Sequence, residues 1–313
     1  MVLKSILVLQ NGNLISLQIF KSNGMQAMGR IYLFVLVFLN CCLNLFGQKS
    51  SKSIQYRIGE NEITIVEDCY KGCSGKMLFI NVHDNEQTSR KAVDCFLQLH
   101  GGKLSHIAND SSRNISFLLN NHCFAFDPNR IYSREGRLAT LTLLSDNTSL
   151  QNINKAEKTV AIFAKKILQK YIEKRPMVVA LHNNSDSNFS IKTYIYSQEN
   201  IPYSGKTFVN PMMDEDDFIL TSDKQIFSAV KAKNINVVWE NVKMIKDDGS
   251  MSVYASKHGI PYINIEAEHG HFVQQLQMLL ALEDILSKYE KAHPSLLLIK
   301  QLGQSREMRK KQH

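Results

Sequence analysis

The run of residues 77–82 (Met-Leu-Phe-Ile-Asn-Val) is almost entirely apolar and ends directly in the polar segment His-Asp-Asn-Glu at 83–86. A strand that is apolar on both faces has to be covered on both faces, as in the interior of an α/β sheet. Loops at the carboxyl ends of such strands face a crevice in which ligands bind. This junction therefore predicts both a buried strand and a functional site beside it.

Apolar runs alternate with helix-like segments along the rest of the chain, which predicts an α/β fold. Strands are predicted at residues 63–66, 77–82, 116–119, 138–144, 177–181, 237–239 and 262–267. Helices are predicted at residues 88–100, 155–174, 221–233 and 272–292. We find no internal repeat or low-complexity segment, so we expect a single domain at residues 48–300.

The apolar run of residues 31–46 follows Arg30 and precedes Gly47-Gln48-Lys49, which is typical of a secretory signal. It is short for a membrane span, which needs roughly 20 apolar residues. We predict that residues 1–47 are an N-terminal extension with a signal peptide and that the protein is periplasmic or secreted. An uncleaved anchor is the alternative. Met25 or Met28 is an alternative start.

The charge of the chain is concentrated at its ends. The formal net charge is +8, and it falls to +5 without the three cations of residues 1–47. The basic tail at residues 301–313 carries a further net +3, so the body is close to +2. Such a weak excess argues against a nucleic-acid partner. We also expect no stable membrane insertion after the signal has been cleaved.

The cysteines show no paired spacing typical of a structural zinc site. Cys69 and Cys73 are close enough to form a disulfide in an exported protein. Cys95 lies in an apolar helical stripe and is expected to be buried.

His83, Glu86 and His182 have the residue types and positions of a catalytic zinc site. His83 and Glu86 are three residues apart after one buried strand, and His182 follows another. Catalytic zinc has three protein ligands of this kind and keeps one position for water. The spacing alone is weak evidence. In the alternative reading, His83 hydrogen-bonds a loop and Glu86 caps the following helix.

Four segments in order resemble the succinylglutamate desuccinylase/aspartoacylase family of the zinc carboxypeptidase-like superfamily. They are residues 79–89 (Phe-Ile-Asn-Val-His-Asp-Asn-Glu-Gln-Thr-Ser), residues 127–132 (Asp-Pro-Asn-Arg-Ile-Tyr), the strand that ends at His182, and Ile265-Glu266-Ala267. The resemblance covers roughly residues 75–270. It implies a three-layer α/β/α fold with a central mixed sheet, of the zinc-dependent exopeptidase (phosphorylase/hydrolase-like) type.

The resemblance also implies roles for individual residues. Zn²⁺ would be held by His83, Glu86 and His182. Asn129 and Arg130 would bind the substrate carboxylate, Glu266 would be the general base, and Arg113 would polarise the scissile carbonyl. No motif surrounds Arg113, so a surface role is the alternative for this residue. Tyr254 would line the substrate pocket, with a structural packing role as the alternative. Arg130 could instead pair with Asp127 or Glu135, and Glu268 is a rival base because it shares the strand face of Glu266.

The predicted function is zinc-dependent hydrolysis of an amide or peptide bond adjacent to a free carboxylate, as in carboxypeptidases. The substrate would be a small peptide or an N-acyl amino acid. The alternatives are an N-acyl amino acid deacylase of the aspartoacylase type and an inactive binding protein on the same fold. Asp84 stands where the family has glycine, and residues 268–271 (Glu-His-Gly-His) replace its glycine-proline exit. The substrate is therefore not carried over.

Overall fold

The computed structural model describes residues 4–10, 13–19, 49–71, 77–146, 149–173, 175–185, 189–196, 206–241 and 245–292. The chain forms two compact units, Met1–Phe46 and Gly47–His313. In the first, β1 (Lys4–Gln10) pairs antiparallel with β2 (Asn13–Ile19). The predicted signal run at 31–46 and the tail at 301–313 lie outside the described residues and stay predictions. No helix within the described ranges is long and apolar enough to cross a bilayer.

Most described residues of the second unit are organised around a nine-stranded sheet of order β10-β12-β11-β13-β9-β5-β6-β4-β3. Its strands are β3 (Ser50–Ile58), β4 (Asn61–Tyr70), β5 (Leu78–Asn81), β6 (Gly102–Ala108), β9 (Val178–Asn184), β10 (Lys206–Phe208), β11 (Phe218–Thr221), β12 (Val237–Trp239) and β13 (Tyr262–Glu268). A separate hairpin is formed by β7 (Ile115–Leu119) and β8 (His122–Phe126). The strands β6, β5, β9 and β13 are mutually parallel, whereas β11 runs antiparallel to β13. The sheet is therefore mixed, as predicted.

Helices cover both faces of this sheet. They are α1 (Gln87–His100), α2 (Arg134–Leu144), α3 (Leu150–Ile167, continued by a π-helical turn at Leu168–Ile172), α4 (Thr193–Tyr196), α5 (Lys224–Ala232), α6 (Met251–Lys257) and α7 (Phe272–Ala292). Alternate strand residues such as Phe79 and Val179 pack with α1, α5 and α7. Their neighbours Leu78 and Val178 pack with α2, α3 and α6. The α/β fold with three layers is confirmed.

The predicted strand at residues 138–144 is wrong, because this segment belongs to helix α2. The Ser133 side chain accepts a hydrogen bond from the Gly136 backbone N–H and caps the helix start. Thr140 and Leu141 are buried while Leu143 is exposed, which is a helical and not an alternating pattern. The apolar residues on one side of this short helix give it a composition similar to that of a strand.

The expected burial of Cys95 is also wrong. Helix α1 buries Ala92, Val93, Phe96 and Leu97, which leaves Cys95 only half-buried. Cys95 and Cys123 are free thiols, whereas Cys69 is in a disulfide. The predicted partner Cys73 lies outside the described residues.

Candidate metal centre

His83, Glu86 and His182 converge at the carboxyl ends of two adjacent parallel strands. His83 follows β5, Glu86 precedes the first residue of α1, and His182 lies near the end of β9. All three side chains are buried, and their ligand atoms lie within 4.8 Å of one another. Because β5 and β9 are parallel neighbours, side chains at their ends meet at one edge of the sheet, as the sequence predicted.

The spacing of the two histidine nitrogens is close to that of a tetrahedral zinc site, and the Glu86 carboxylate lies within reach of both. The Nδ1 atoms of His83 and His182 are 3.2 Å apart. Each lies close to the Glu86 carboxylate, at 2.8 Å for His83 and 2.9 Å for His182. Zinc–nitrogen bonds of about 2.0–2.1 Å place tetrahedral ligand atoms roughly 3.3 Å apart. Two imidazole nitrogens and a carboxylate are also the donor types that zinc prefers.

Asp127 fixes the orientation of His83 from the opposite side of the ring. Its Oδ1 atom is 2.7 Å from His83 Nε2. A proton on Nε2 then donates to the carboxylate and leaves the Nδ1 lone pair available for a metal, the usual role of a carboxylate behind a ligand histidine. Although burial of His83 opposes its charge, Glu86 and Asp127 raise its pKa to about 9. The sequence marked Asp127 only as part of a motif and did not predict this contact.

The alternative reading of Glu86 as a helix cap is wrong. Glu86 stands at the N-cap position of α1 but makes no side-chain cap hydrogen bond. Its carboxylate instead contacts the two histidines and Arg113. Although burial opposes ionisation, the two histidines hold the pKa of Glu86 well below its usual range. Glu86 is thus an anion aimed at the histidine pair.

Glu266 is positioned directly beside this centre. It lies in register with His182 on the neighbouring parallel strand, and both residues lie on the same face of the sheet. Burial raises the pKa of Glu266, the charge of Glu86 acts in the same direction, and His182 opposes both. The Asn264 side-chain amide donates to Glu266 at 2.9 Å and fixes the carboxylate. A carboxyl group with a raised pKa is suited to accept and return a proton near neutral pH.

Glu268, the rival base, is engaged elsewhere. Its carboxylate lies 3.2 Å from His271 Nε2, at the exit of β13. The other ring nitrogen of His271 lies 3.0 Å from Asp217. A cavity adjoins the metal centre. Glu266 lines this cavity, whereas Glu268 does not. The arrangement therefore favours Glu266 as the base.

Arg113 reaches the same centre from the segment before β7. Its guanidinium lies 2.7 Å from Glu86 Oε1 and 3.4 Å from Asp127 Oδ2. Nearly half of the side chain is exposed, and Arg113 lines the cavity. Arg113 therefore presents a positive charge next to the predicted metal, where the sequence offered no motif around it.

Asn129 and Arg130 line the same cavity as Arg113 and Glu266. Asn129 Oδ1 accepts the backbone N–H of Met251 at 3.1 Å, which ties its segment to the start of α6. Arg130 lies 3.6 Å from Asp248 and is 40% exposed, so its guanidinium is available to a ligand. The predicted alternative partners Asp127 and Glu135 make no ion pair with Arg130 among the described residues.

Tyr254 does not reach the cavity, contrary to its predicted role. Its hydroxyl donates to Glu173 at 3.1 Å and its ring stacks on His258. Helix α6 turns about 100° per residue, so that its neighbour Val253 faces the cavity in its place. Tyr254 therefore has the packing role that was the alternative.

One cavity of about 910 Å³ joins the metal centre, Glu266 and Arg130. Its floor includes Tyr262, Asn264 and Glu266, which are alternate residues of β13 on one face of the sheet. Glu240, a buried carboxyl at the end of β12, also lines it. Glu240 is not among the predicted site residues, although it directly follows an apolar strand, the feature that predicted His83 and His182.

No protein-family model and no curated protein matches the chain. Solved structures that it matches include succinylglutamate desuccinylase from Vibrio parahaemolyticus, at 12% identity and a TM-score of 0.37 over 76% of this chain and 78% of that one. A proposed carboxypeptidase A from Shewanella denitrificans matches at 10% identity and a TM-score of 0.39, over 91% and 78%. An aspartoacylase family protein from Mesorhizobium loti matches at 11% and 0.35, over 76% and 68%. These similarities are too low to transfer residue roles to this chain.

Proposed function

We propose that this protein is a zinc-dependent hydrolase that cleaves an amide or peptide bond next to a free carboxylate. The observation that carries the proposal is the shared cavity. It brings a buried His-Glu-His donor set, a carboxyl group with a raised pKa and an exposed guanidinium together. A donor set, a base and a carboxylate-binding cation are the parts that such a hydrolysis needs.

His83, Glu86 and His182 would hold the ion, with Asp127 keeping the His83 ring in place. Bound zinc supplies a water of lowered pKa and a Lewis acid for the substrate carbonyl. Glu266 accepts the proton of the attacking water. It then delivers that proton to the departing amine nitrogen, so that the carboxyl ends the cycle as a carboxylate.

Arg113 and Arg130 would each interact with a different negatively charged group of the substrate. Arg113, held by Glu86 and Asp127, stabilises the oxygen on which charge develops during attack. Arg130 binds the free carboxylate through its planar fork of donors, and the Asn129 amide adds a neutral hydrogen bond. This division predicts that substrates without a free carboxylate are poor.

The test is an assay of the full chain loaded with zinc. The substrates are blocked dipeptides and N-acyl amino acids, each offered as the free acid and as the carboxamide. We expect hydrolysis of the acids, at least about tenfold weaker hydrolysis of the amides, and loss of that preference in Arg130→Met. Equal rates on acids and amides, or no hydrolysis by a zinc-loaded protein, would overturn the proposal. Faster hydrolysis of N-acyl amino acids than of dipeptides would favour the deacylase alternative.

A further inference from the structure

Glu240 is a buried carboxyl group that the proposed reaction does not use. It is 6% exposed and stands directly after β12, at the wall of the cavity. Its two oxygens accept hydrogen bonds from the Ser252 hydroxyl at 3.1 Å and the Ser256 hydroxyl at 3.2 Å. Both donors are neutral. Among the described residues, no cation forms an ion pair with Glu240.

The groups around Glu240 do not compensate the negative charge of its ionised form. Burial raises its pKa to about 7, the two serine hydroxyls lower it only in part, and the charge of Asp248 raises it further. The cations on the cavity wall are engaged with or directed to other groups: Arg130 faces Asp248 and Arg113 faces Glu86. Lys246 lines the same cavity without an ion pair to Glu240. A buried carboxylate with no cation is costly until a ligand supplies one.

The sheet register places Glu240 at the far end of the cavity from the metal centre. Glu266 is in register with His182, whereas Trp239 aligns through Thr221 with Ile263. Glu240 is therefore level with the start of β13, which lies about 13 Å along the strand from Glu266. A substrate group that reaches Glu240 has to extend along this floor, so it is the tip of a long side chain.

Residues 248–252 contact both Arg130 and Glu240. Asp248, the partner of Arg130, precedes Ser250 by two residues, and Ser250 Oγ lies 3.1 Å from Ser252 Oγ. Ser252 in turn donates to Glu240. One short segment thus fixes both the carboxylate-binding cation and the buried acid. A single substrate residue with a carboxylate and a distal cation would engage both.

We propose that Glu240 is a specificity-determining residue that binds a positively charged group at the tip of the substrate side chain. The substrate then carries a basic, lysine-like residue next to the bond that is cleaved. This inference rests on the proposed function for the identity of the bond. The recognition of the cation rests on Glu240 and the cavity alone.

The test compares lysine with norleucine, which has the same four side-chain carbons and a hydrogen atom in place of the terminal ammonium group. Binding of free L-lysine and L-norleucine to the full chain is measured by calorimetry. Hydrolysis is measured with blocked dipeptides that end in either residue. We expect lysine to be preferred about 10- to 100-fold in both measurements, and the ratio to approach one in Glu240→Gln. Glu60→Gln, on an exposed residue of the β3–β4 turn, is the matched control and should keep the preference.

Equal binding of lysine and norleucine, or a preference that survives in Glu240→Gln, would overturn the inference and leave the proposed hydrolysis intact. Selective lysine binding without hydrolysis of either peptide would instead overturn the proposed function and leave the cation site standing. If Glu240→Gln does not fold, Ser252→Ala and Ser256→Ala replace it. Each removes one hydroxyl donor to the carboxylate, and an unchanged lysine preference in both would contradict the inference.

Discussion

The Nε2 atom of His83 lies 2.7 Å from Oδ1 of Asp127, and the opposite nitrogen of the same ring faces Glu86 and His182. Asp127 therefore selects the ring form in which Nδ1 can bind a metal. The Asp127→Asn variant keeps the size of the side chain and removes its charge. We expect its zinc affinity to fall about 10- to 100-fold.

Competition with a chelator of known affinity measures this change. Asp110→Asn, on an exposed turn residue with a positive φ that asparagine tolerates, is the control. Unaltered zinc affinity in Asp127→Asn would show that the contact with His83 does not orient a metal ligand.

Glu266 and Glu268 can be separated by their effects on turnover. Glu266→Gln keeps the hydrogen-bonding shape but cannot accept the proton of water, so kcat should fall by about 10²- to 10⁴-fold. Zinc content should stay at the wild-type value because Glu266 is not among the three converging ligands. Glu268→Gln should retain most of the activity, because its carboxylate faces His271. The assignment fails if Glu268→Gln is the inactive variant of the two.

Gly249 allows the close approach that sets the position of Arg130. Its φ is +77°, and a Cβ atom there would lie 2.6 Å from the Arg130 carbonyl oxygen and 2.7 Å from Gly136 Cα. Both contacts are with backbone atoms that cannot move aside. Gly249→Ala should therefore raise KM for carboxylate-bearing substrates and lower the free energy of unfolding by about 2–4 kcal/mol.

Gly259→Ala is the matched control for this variant. Gly259 has a similar φ of +65°, and a Cβ atom there meets nothing within 4 Å. Gly259→Ala should lower the free energy of unfolding by roughly 1 kcal/mol, the cost of backbone strain alone, and should leave KM unchanged. Denaturant unfolding and steady-state kinetics give both quantities. Equal losses in the two variants would refute the steric role of Gly249.

Glu240 should make stability depend on pH between about 4.5 and 7. Burial raises its pKa from 4.5 to about 7, so the folded state holds a proton that the unfolded state has released in this interval. The stabilisation is complete below pH 4.5 and is lost as the pH rises through 7, a change of about 3 kcal/mol. Glu240→Gln does not titrate there. The free energy of unfolding of wild type relative to Glu240→Gln should therefore fall over this interval, and a flat or rising difference would contradict the assignment.

The central strands and the residues at their ends could be predicted from the sequence because burial on both faces leaves continuous apolar runs. Strands β5, β9 and β13 follow this rule, and so His83, His182 and Glu266 were found. The edge strand β3 is mostly exposed and polar, so nothing in its composition separates it from a loop. Helix α2 is buried at only a few positions, which made its apolar residues look like a strand.

The parts of the site that escaped prediction depend on contacts between segments distant in sequence. Asp127 and His83 are 44 residues apart, and only the folded chain places their side chains together. Glu240 follows β12, whereas its hydrogen-bond donors Ser252 and Ser256 lie on α6. Tyr254 shows the opposite error, since its position shortly before β13 in sequence does not turn its side chain toward the cavity.

The zinc content of the purified full chain tests the central claim most directly. After equilibration with zinc and removal of free metal, wild type should hold about one zinc ion per chain. His83→Ala and His182→Ala should each hold much less, while His122→Ala, on an exposed hairpin residue, should match wild type. Circular dichroism confirms that each variant is folded. A folded wild type without zinc, or a His182→Ala variant with as much zinc as wild type, would contradict the assignment of this metal centre.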